Sequence, residues 1–254
     1  MSETRQPKAR PYVLVAPNGA RRQYSDHPAI PLTIGEIAAT ARACHAVGAD
    51  GLHLHVREDD GTHSLDAGRY IETLAELRRT VPALDIQITT EAAGIFDVAA
   101  QYDCLRLVQP AWASIAVREM ARAPELAERV YALCVDQGTR VQHILYDAAD
   151  AELLQDWQAR GVVRAGQEDR LLVLGRYATG QESRPADLDA FPETHAPWMV
   201  CAFGRREHDC LLAAARRGAD VRVGFENSLT DADGNIWPDN AASVAALVAR
   251  LKGL

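Results

Sequence analysis

Two histidines separated by one residue, His53 and His55, end an apolar run that begins at Gly51. Because strand residues i and i+2 point to the same face, both imidazoles can reach one metal ion from one side. The best third ligand is Glu226, which follows a second β-rich run, 221–224. Two imidazoles and one carboxylate leave an open coordination position, which is typical of a catalytic zinc. Manganese, iron and nickel accept similar ligands, and a His-x-His pair can also be ordinary strand packing.

The composition is that of a globular chain with a large core. Of 254 residues, 48% are hydrophobic, and 27 basic against 35 acidic residues give a net charge of −8, which argues against a nucleic-acid surface. The polar segment 1–10 lacks the apolar stretch of a secretion signal, and no run is long enough to span a membrane. We therefore expect a cytoplasmic protein with a short flexible N-terminus, about 1–10. The five cysteines lack a Cys-x-x-Cys pair and are interpreted as reduced core residues.

Short apolar or β-branched runs alternate with segments of helical apolar spacing along the chain. The predicted strands are 12–16, 51–56, 85–89, 104–108, 140–145, 171–174, 198–202 and 220–224. The predicted helices are 33–47, 66–81, 95–102, 124–137, 149–160, 186–191, 206–217 and 241–251. This α/β alternation indicates one (β/α)8 TIM barrel domain over residues 1–254, although an open doubly wound sheet alternates in the same way. The lack of a Gly-x-Gly-x-x-Gly motif after the first strand disfavours that alternative.

A barrel would bring the three metal ligands together. Active sites of such barrels lie at the C-terminal ends of the strands, and one interior layer is formed by alternate strands. His53 and His55 end the second predicted strand and Glu226 follows the eighth, so a single strand separates them in the barrel. We therefore expect the three side chains to converge at the barrel mouth.

Five segments together resemble the β-keto acid cleavage enzymes, the family of the 3-keto-5-aminohexanoate cleavage enzyme. They are 16–20, 53–61, 89–90, 112–115 and 222–227, and they follow in order through most of the chain. Two of them carry the fairly specific patterns His-x-His-x-Arg and Arg-Val-Gly-x-Glu. The resemblance implies a zinc-dependent TIM barrel that exchanges a β-keto acid and an acyl-CoA, usually producing acetoacetate and a new CoA thioester from acetyl-CoA.

By position, the resemblance assigns His53, His55 and Glu226 as the zinc ligands and Arg222 as a catalytic arginine. Zinc chelated by the keto oxygen and carboxylate of the substrate would stabilise an enolate, and this carbanion can attack a thioester. Arg222 would supply positive charge near the carboxylates. It could alternatively be an arginine that only stabilises the barrel mouth.

The same segments suggest further contacts with the substrate. The resemblance makes Thr89 and Ser114 catalytic hydroxyls that hold oxygens, and it places Asn18 and Thr90 at the substrate. Either catalytic hydroxyl could instead cap a nearby helix. Arg205 follows the seventh predicted strand at the start of a helix, a common position for phosphate binding in barrels. The loop 175–180 after the sixth strand is a weaker candidate for contact with CoA.

One departure from the family pattern concerns the proton-transfer group. The family usually has an acidic residue directly after the glutamate ligand, implicated with the arginine in proton abstraction, but this chain has Asn227. An amide cannot act as a general base near neutral pH. Glu91 stands where family members typically have glycine, and it could take over the role of the base. Alternatively, Glu91 lies in the first turn of the next helix, where a carboxylate favours the helix dipole.

A second departure concerns the substrate. The family commonly has a glutamate at the end of the first strand, where this chain has Arg21. A cation there would repel an amino-bearing substrate and attract an additional carboxylate. We therefore hypothesise a substrate more acidic than 3-keto-5-aminohexanoate, such as a keto diacid, with Glu91 facing Arg21 across the site.

Two other function classes stay open. The first is another zinc-dependent barrel lyase or hydrolase that acts on a carbonyl substrate without CoA. The second is a non-catalytic barrel that binds a metal or ligand. In all cases the expected partners are small molecules, with neither nucleic acid nor a membrane, and the family resemblance implies a homo-oligomer.

Overall fold

The computed structural model describes residues 10–175 and 182–254. Within them, eight parallel strands close into a barrel, which confirms the predicted (β/α)8 architecture and excludes the open sheet. The strands are β1 Val13–Val15, β2 Gly51–Leu54, β3 Asp85–Thr89, β4 Trp112–Ala116, β5 Arg140–Leu145, β6 Asp169–Leu174, β7 Trp198–Ala202 and β8 Asp220–Val223. The predicted flexible segment 1–10 and the candidate CoA loop 175–180 lie, apart from Arg10 and Gly175, outside the described residues.

Helices connect the strands on the outside of the barrel. They are α1 Ile34–Ala46, α2 Ala67–Thr80, α3 Val98–Val108, α4 Pro124–Gln137, α5 Ala148–Ala159, α6 Glu207–Arg216 and α7 Asn240–Leu251. A short helix, Val117–Met120, follows β4, and a 3-10 helix, Pro185–Ala190, lies between β6 and β7. After β2, the strands Val56–Arg57 and His63–Ser64 form a small hairpin. A capping box formed by Thr33 and Glu36 begins α1.

The prediction of a strand at 104–108 is wrong. These residues are the second half of α3, and the fourth strand is Trp112–Ala116. The buried side chains of α3 are Val98, Gln101, Cys104, Leu105 and Val108, which lie on one helical face. Because the buried stripe includes a glutamine, its helical period is masked in the sequence, and the apolar end of α3 reads as a short strand.

Alternate strand residues divide between two cores. Outward side chains such as Val13 and Val15 pack in the main cluster with the helices. Inward side chains, among them Leu14, Trp112 and Met199, form a separate apolar cluster. Inward positions of β2 and β3 are polar instead, so polar groups concentrate on that side of the barrel.

The cysteine side chains belong to the core, as the sequence predicts. All five cysteines are buried and free. Burial raises the pKa of the Cys44 thiol to about 12, which keeps it protonated and unreactive. Across 10–175 and 182–254, no helix has the length and apolar character needed to cross a membrane.

Candidate active site

His53, His55 and Glu226 meet at the C-terminal end of the barrel. The Nε2 atoms of the two histidines are 3.1 Å apart. Glu226 Oε2 lies 3.8 Å from His53 Nε2 and 3.6 Å from His55 Nε2. All three residues are buried, and each offers one donor atom that could hold a shared metal ion. The structure thus brings together the three residues that the sequence spacing predicts as metal ligands.

The distances between these donor atoms suit a single ion. A tetrahedral site with bonds of the usual zinc length separates its donor atoms by about 3.3 Å. Glu226 Oε2 faces both imidazoles and accepts no hydrogen bond from the part of the chain that the structure describes. Because an uncompensated buried carboxylate oxygen is unfavourable, this arrangement fits a bound cation. Two imidazoles and a carboxylate are also a ligand set of catalytic zinc.

The orientation of His53 is set by a glutamine. His53 Nδ1 lies 2.7 Å from Gln87 Oε1, and Gln87 Nε2 donates to Gln142 Oε1 at 3.0 Å. Since Gln87 directs its amide N–H toward Gln142, its carbonyl oxygen accepts the proton of His53 Nδ1. Burial, and then the charge of Arg222, hold the pKa of His53 well below its usual value. His53 is therefore neutral, and its Nε2 lone pair is directed to the metal position.

A tight turn after β8 directs Glu226 into the barrel. Gly224 has a φ of +143°, and a Cβ atom there would lie 2.4 Å from the Ala16 carbonyl oxygen. No other residue fits this close approach of two backbones. The Gly224 N–H donates to Glu207 Oε1 at 3.0 Å, and the Glu226 N–H donates to Ala16 O at 3.1 Å. The backbone that carries Glu226 is thereby tied to the ends of β1 and α6.

Arg222 lies beside the candidate metal ligands. Its Nη2 is 3.2 Å from Glu226 Oε1 and 3.3 Å from Cys201 Sγ. Burial by itself raises the pKa of Glu226, but the positive charge of Arg222 and the neighbouring imidazole of His55 outweigh burial and hold that pKa well below its usual range. Glu226 is thus ionised, with Oε1 held by Arg222 and Oε2 turned to the histidines.

A cavity of about 320 Å³ opens at these residues, a volume that suits a small ligand. Its lining includes the cations Arg21, Arg118 and Arg222, the acids Glu91, Glu119 and Glu226, and apolar side chains such as Ile144, Val173 and Phe203. A substrate in this cavity therefore meets both the candidate metal ligands and charges of either sign.

Six of the residues predicted for the site line this cavity. They are the candidate metal ligands His53 and Glu226, together with Arg21, Thr89, Glu91 and Arg222. Burial raises the pKa of Glu91, while the charges of His55 and Arg21 act in the opposite direction. Glu91 lies in the loop between β3 and α3, well before Val98 begins the helix. The alternative explanation by the helix dipole is therefore wrong for Glu91.

Other predicted substrate contacts make structural hydrogen bonds. Asn18 Nδ2 donates to the carbonyl oxygens of Pro31 and His55. Thr90 Oγ1 donates to Ser114 O at 2.9 Å. These two side chains therefore support the backbone beneath the site rather than its surface.

Ser114 and Arg205 lie apart from the cavity lining. The Ser114 hydroxyl is buried next to β3, where Ser114 pairs with Thr89, and it has no hydrogen-bond partner among the described residues. Arg205 is exposed and forms an ion pair with Glu182. Its guanidinium is on the surface beside the start of α6.

Asn227 is buried behind Arg222. Its Nδ2 donates to Glu207 Oε1 at 3.0 Å and to Arg222 O at 3.3 Å. Burial raises the pKa of Glu207 to about 8, against the lowering effect of hydrogen bonds from Asn227 and Gly224. A carboxyl group that is distant in sequence thus lies against the position where the family resemblance leads us to expect one.

The sequence analysis missed three ionisable residues near the site: Glu119, Glu207 and His63. Glu119 lines the cavity, accepts hydrogen bonds from Ala92 N and Gln101 Nε2, and has its pKa raised to about 7 by burial. His63 packs near His55 with 5.2 Å between ring centroids, and burial lowers its pKa to about 3. Each stands in a segment without a motif, and the fold alone brings it to the site.

Known proteins are similar to this chain in sequence and in fold. A family model described as beta-keto acid cleavage enzyme matches residues 11–254. The chain is 24% identical over 250 residues to a 3-keto-5-aminohexanoate cleavage enzyme of Fusobacterium nucleatum, covering 93% of this chain and 89% of the relative. It is 24% identical over 253 residues to a 3-oxoadipate:acetyl-CoA acetyltransferase of Cupriavidus necator, covering 93% and 87%.

A solved structure of ObcA in its apo form has a similar fold. It matches with a TM-score of 0.62 at 15% sequence identity, covering 89% of this chain and 62% of the ObcA chain. The chain thus spans less than two-thirds of the length of ObcA. At this identity the likeness concerns the barrel fold and not the reaction.

Proposed function

The chain belongs to the β-keto acid cleavage enzyme family and is an enzyme, and we propose that it is a zinc-dependent member that transfers acyl groups between a β-keto acid and acetyl-CoA. The observation that carries this proposal is the buried group of His53, His55 and Glu226 at the cavity. These residues would hold the ion. When bound, zinc supplies a Lewis acid that polarises the keto oxygen and stabilises the negative charge beside it.

The proposed reaction begins with a proton transfer. Glu91 is a carboxyl group that lines the cavity, and we assign it the role of the base that Asn227 cannot fill. It accepts a proton from the carbon between the keto and carboxylate groups. Arg222 attracts the substrate carboxylate, and Thr89 holds an oxygen. Ser114 and Asn227 lie outside the cavity lining, so we assign them no contact with the substrate.

Bond exchange then follows in two stages. The carbanion forms a bond to the acetyl carbon of acetyl-CoA while the carbon–sulfur bond breaks and CoA thiolate leaves. The thiolate next attacks the original keto carbon, the carbon–carbon bond to the former carbanion breaks, and that carbon regains a proton. The products are acetoacetate and a new acyl-CoA.

The side chain at position 21 supports a keto diacid as the substrate. Arg21 lines the cavity, where it can pair with a distal carboxylate. One relative acts on 3-oxoadipate, a keto diacid by its name, and an equally similar one on an amino keto acid, so identity alone does not distinguish the two. Acetyl-CoA-dependent turnover should therefore be compared for carboxy- and amino-terminated β-keto acids. Tighter binding of the amino compounds would contradict this assignment.

The proposed function is tested by metal analysis together with a CoA-release assay. Stoichiometric zinc, loss of activity on chelation and turnover that requires acetyl-CoA would support it. Zinc with turnover independent of CoA would identify another barrel enzyme, and ligand binding without turnover would identify a non-catalytic protein. His53→Ala should lose the metal, whereas His195→Ala, which changes an exposed histidine, should retain it.

A further inference from the structure

Glu119 is a carboxyl group at the cavity that the mechanism above does not use. It lies in the short helix Val117–Met120 after β4 and lines the cavity together with Glu91. Both of its oxygens lie 3.1 Å from Ala92 N, and its Oε2 also accepts a hydrogen bond from Gln101 Nε2 at 2.7 Å. Ala92 follows Glu91 in the loop between β3 and α3, residues 90–97. Glu119 therefore holds the backbone directly beside the proposed base.

Gln101 extends this contact to other points of the same loop. It is fully buried, and its Nε2 donates to Thr90 O at 2.6 Å as well as to Glu119. Its Oε1 accepts a hydrogen bond from Arg122 Nη2, and Arg122 Nη1 donates to Phe96 O, each at 3.2 Å. Three linked side chains thus hold backbone groups near both ends and in the middle of the loop. We call Glu119, Gln101 and Arg122 the loop clamp.

The conformation of this loop requires support. Ala93 has a φ of +50°, in the left-handed region that a residue with a Cβ atom rarely adopts, and Gly94 follows with a φ of +81°. Such a backbone persists where surrounding contacts over-determine it. The Glu91 peptide is held on both sides, because its N–H donates to Thr89 Oγ1 at 2.9 Å and its carbonyl oxygen lies 2.8 Å from His63 Nε2. The place of Glu91 at the cavity thus depends on contacts from neighbouring elements.

The contact made by Glu119 needs an oxygen acceptor and not a particular charge. Burial raises the pKa of Glu119 to about 7, against the lowering effect of the hydrogen bonds from Ala92 and Gln101. Its Oε2 alone lies within reach of both donors. One carbonyl-type oxygen has two lone pairs, so a neutral carboxyl or an amide can accept both bonds. An amide at position 119 would therefore hold the loop, although it cannot accept a proton.

We propose that Glu119 is a positioning residue, which fixes the loop of residues 90–97 through the Ala92 N–H and so keeps the Glu91 carboxyl at the cavity. The catalytic consequence rests on the proposed function, in which Glu91 is the base. The loop clamp itself rests on its hydrogen bonds, on the burial of Gln101 and on the left-handed backbone of Ala93.

The catalytic test compares Glu119→Gln with Glu119→Leu. Glu119→Leu removes the acceptor, so kcat should fall at least ~10-fold with KM little changed, because the displaced group acts in proton transfer. Deuterium exchange at the substrate carbon between the keto and carboxylate groups, measured without acetyl-CoA, should fall in parallel. Glu119→Gln keeps the acceptor and should change kcat by no more than ~3-fold.

Backbone amide exchange, measured by mass spectrometry, examines the loop without turnover. The peptide that covers residues 90–97 should exchange at least ~10-fold faster in Glu119→Leu than in the wild type, while peptides from the barrel strands keep their rates. Glu119→Gln should exchange like the wild type. Arg122→Leu changes an exposed member of the loop clamp, which a folded protein tolerates, and should speed exchange of the same peptide by at least ~3-fold.

The matched controls are Glu125→Gln and Glu125→Leu, at an exposed glutamate in the first turn of α4. Both should keep the kcat and the backbone exchange of the wild type. A Glu119→Leu protein with wild-type kcat or wild-type exchange of residues 90–97 would overturn the inference. So would a Glu119→Gln protein as slow in turnover as Glu119→Leu, because Glu119 would then act by its charge or its proton.

Failure of the proposed function has a different signature. A wild-type protein that neither exchanges the substrate proton nor uses acetyl-CoA would reject that function. Backbone exchange in the Glu119 and Arg122 variants would still test the loop clamp, because it needs no substrate. Unchanged exchange of residues 90–97 in these variants would reject the loop clamp even in an inactive protein.

Discussion

The hydrogen bond at His53 Nδ1, the ring nitrogen that faces away from the candidate metal position, sets the protonation state of Nε2. With Nδ1–H donated to Gln87, Nε2 is left as a lone pair, and burial keeps the ring neutral. Metal-binding histidines are commonly held in this way, and the loss of such a support weakens metal binding. The amide of Gln87 would therefore affect the affinity for a metal ion at His53 Nε2 without touching that ion.

We predict that Gln87→Leu lowers zinc affinity ~10- to 100-fold, because Leu cannot accept the His53 Nδ1 proton. Competition with a chromophoric chelator measures the affinity. Gln155→Leu, an exposed change on α5, serves as the control and should bind zinc like the wild type. Equal affinity of the Gln87→Leu and control proteins would show that Gln87 does not orient the ligand.

Glu91 is the residue on which proton transfer depends in the proposed reaction. We predict that Glu91→Gln lowers kcat at least ~100-fold, since an amide cannot accept the proton. Because burial raises the pKa of Glu91, wild-type activity should rise with pH as this carboxyl ionises, and the variant should lack that rise. Glu58→Gln, which changes a surface partner of Arg69, should be unaffected. Near-normal turnover of Glu91→Gln would reject this role.

The cluster of His53, His55 and Glu226 could be predicted from the sequence because two of these residues share one strand face and the third follows a strand with a recognisable motif. Glu119, Glu207 and His63 could not be predicted in the same way. Each is one acid or histidine in a segment with no characteristic spacing, and its contact partners are far away in sequence, as Glu207 and Asn227 illustrate. A contact of this kind depends on the packing of α6 against β8, which periodicity does not specify.

At the scale of elements, the alternation of strands and helices could be predicted, but one strand was misplaced. The end of α3 is apolar over 104–108, and a run of that length does not distinguish a buried helix from a strand. The exposed Leu107 and the buried Gln101 show a helical face instead. The true β4, Trp112–Ala116, is short and interrupted by Ser114, whose hydroxyl is buried in the barrel.

The turn at the end of β8 gives a prediction for an element. Gly224→Ala should lower the free energy of unfolding by at least ~2 kcal/mol, since it combines a positive φ with a clash against the Ala16 carbonyl. The turn also carries Glu226, so zinc affinity should fall as well. Urea unfolding and the chelator competition measure the two effects.

The matched control for that turn is Gly138→Ala at the end of α4. Gly138 also has a positive φ, +70°, but a Cβ atom there meets nothing within 4 Å. Its substitution should therefore lower the free energy of unfolding only through the backbone strain of a positive φ, by about 1 kcal/mol, and should leave zinc affinity unchanged. Equal losses in the two variants would mean that the backbone contact with Ala16 has no effect of its own.

At the scale of the whole molecule, buried histidines make stability depend on acidity. His143 lies on β5 and is fully buried against Tyr131 of α4, with Nε2 3.0 Å from Gln167 O. Burial lowers its pKa to about 4. The unfolded chain therefore binds a proton below the ordinary histidine pKa near 6.5 while the folded chain does not. Stability from this residue is complete above pH ~6.5 and is lost as pH falls toward 4.

We predict that His143→Gln flattens this dependence. Glutamine can still donate to Gln167 O but does not titrate. Between pH 6.5 and 4.5, the unfolding free energy of the variant should therefore fall by about 2–3 kcal/mol less than that of the wild type, which is the effect of one proton. Urea unfolding at both pH values, with a chelator present to remove metal effects, measures the difference. His195→Gln, an exposed histidine, controls for the loss of one imidazole and should follow the wild type. A parallel pH dependence in His143→Gln and wild type would mean that folding does not lower the pKa of this histidine.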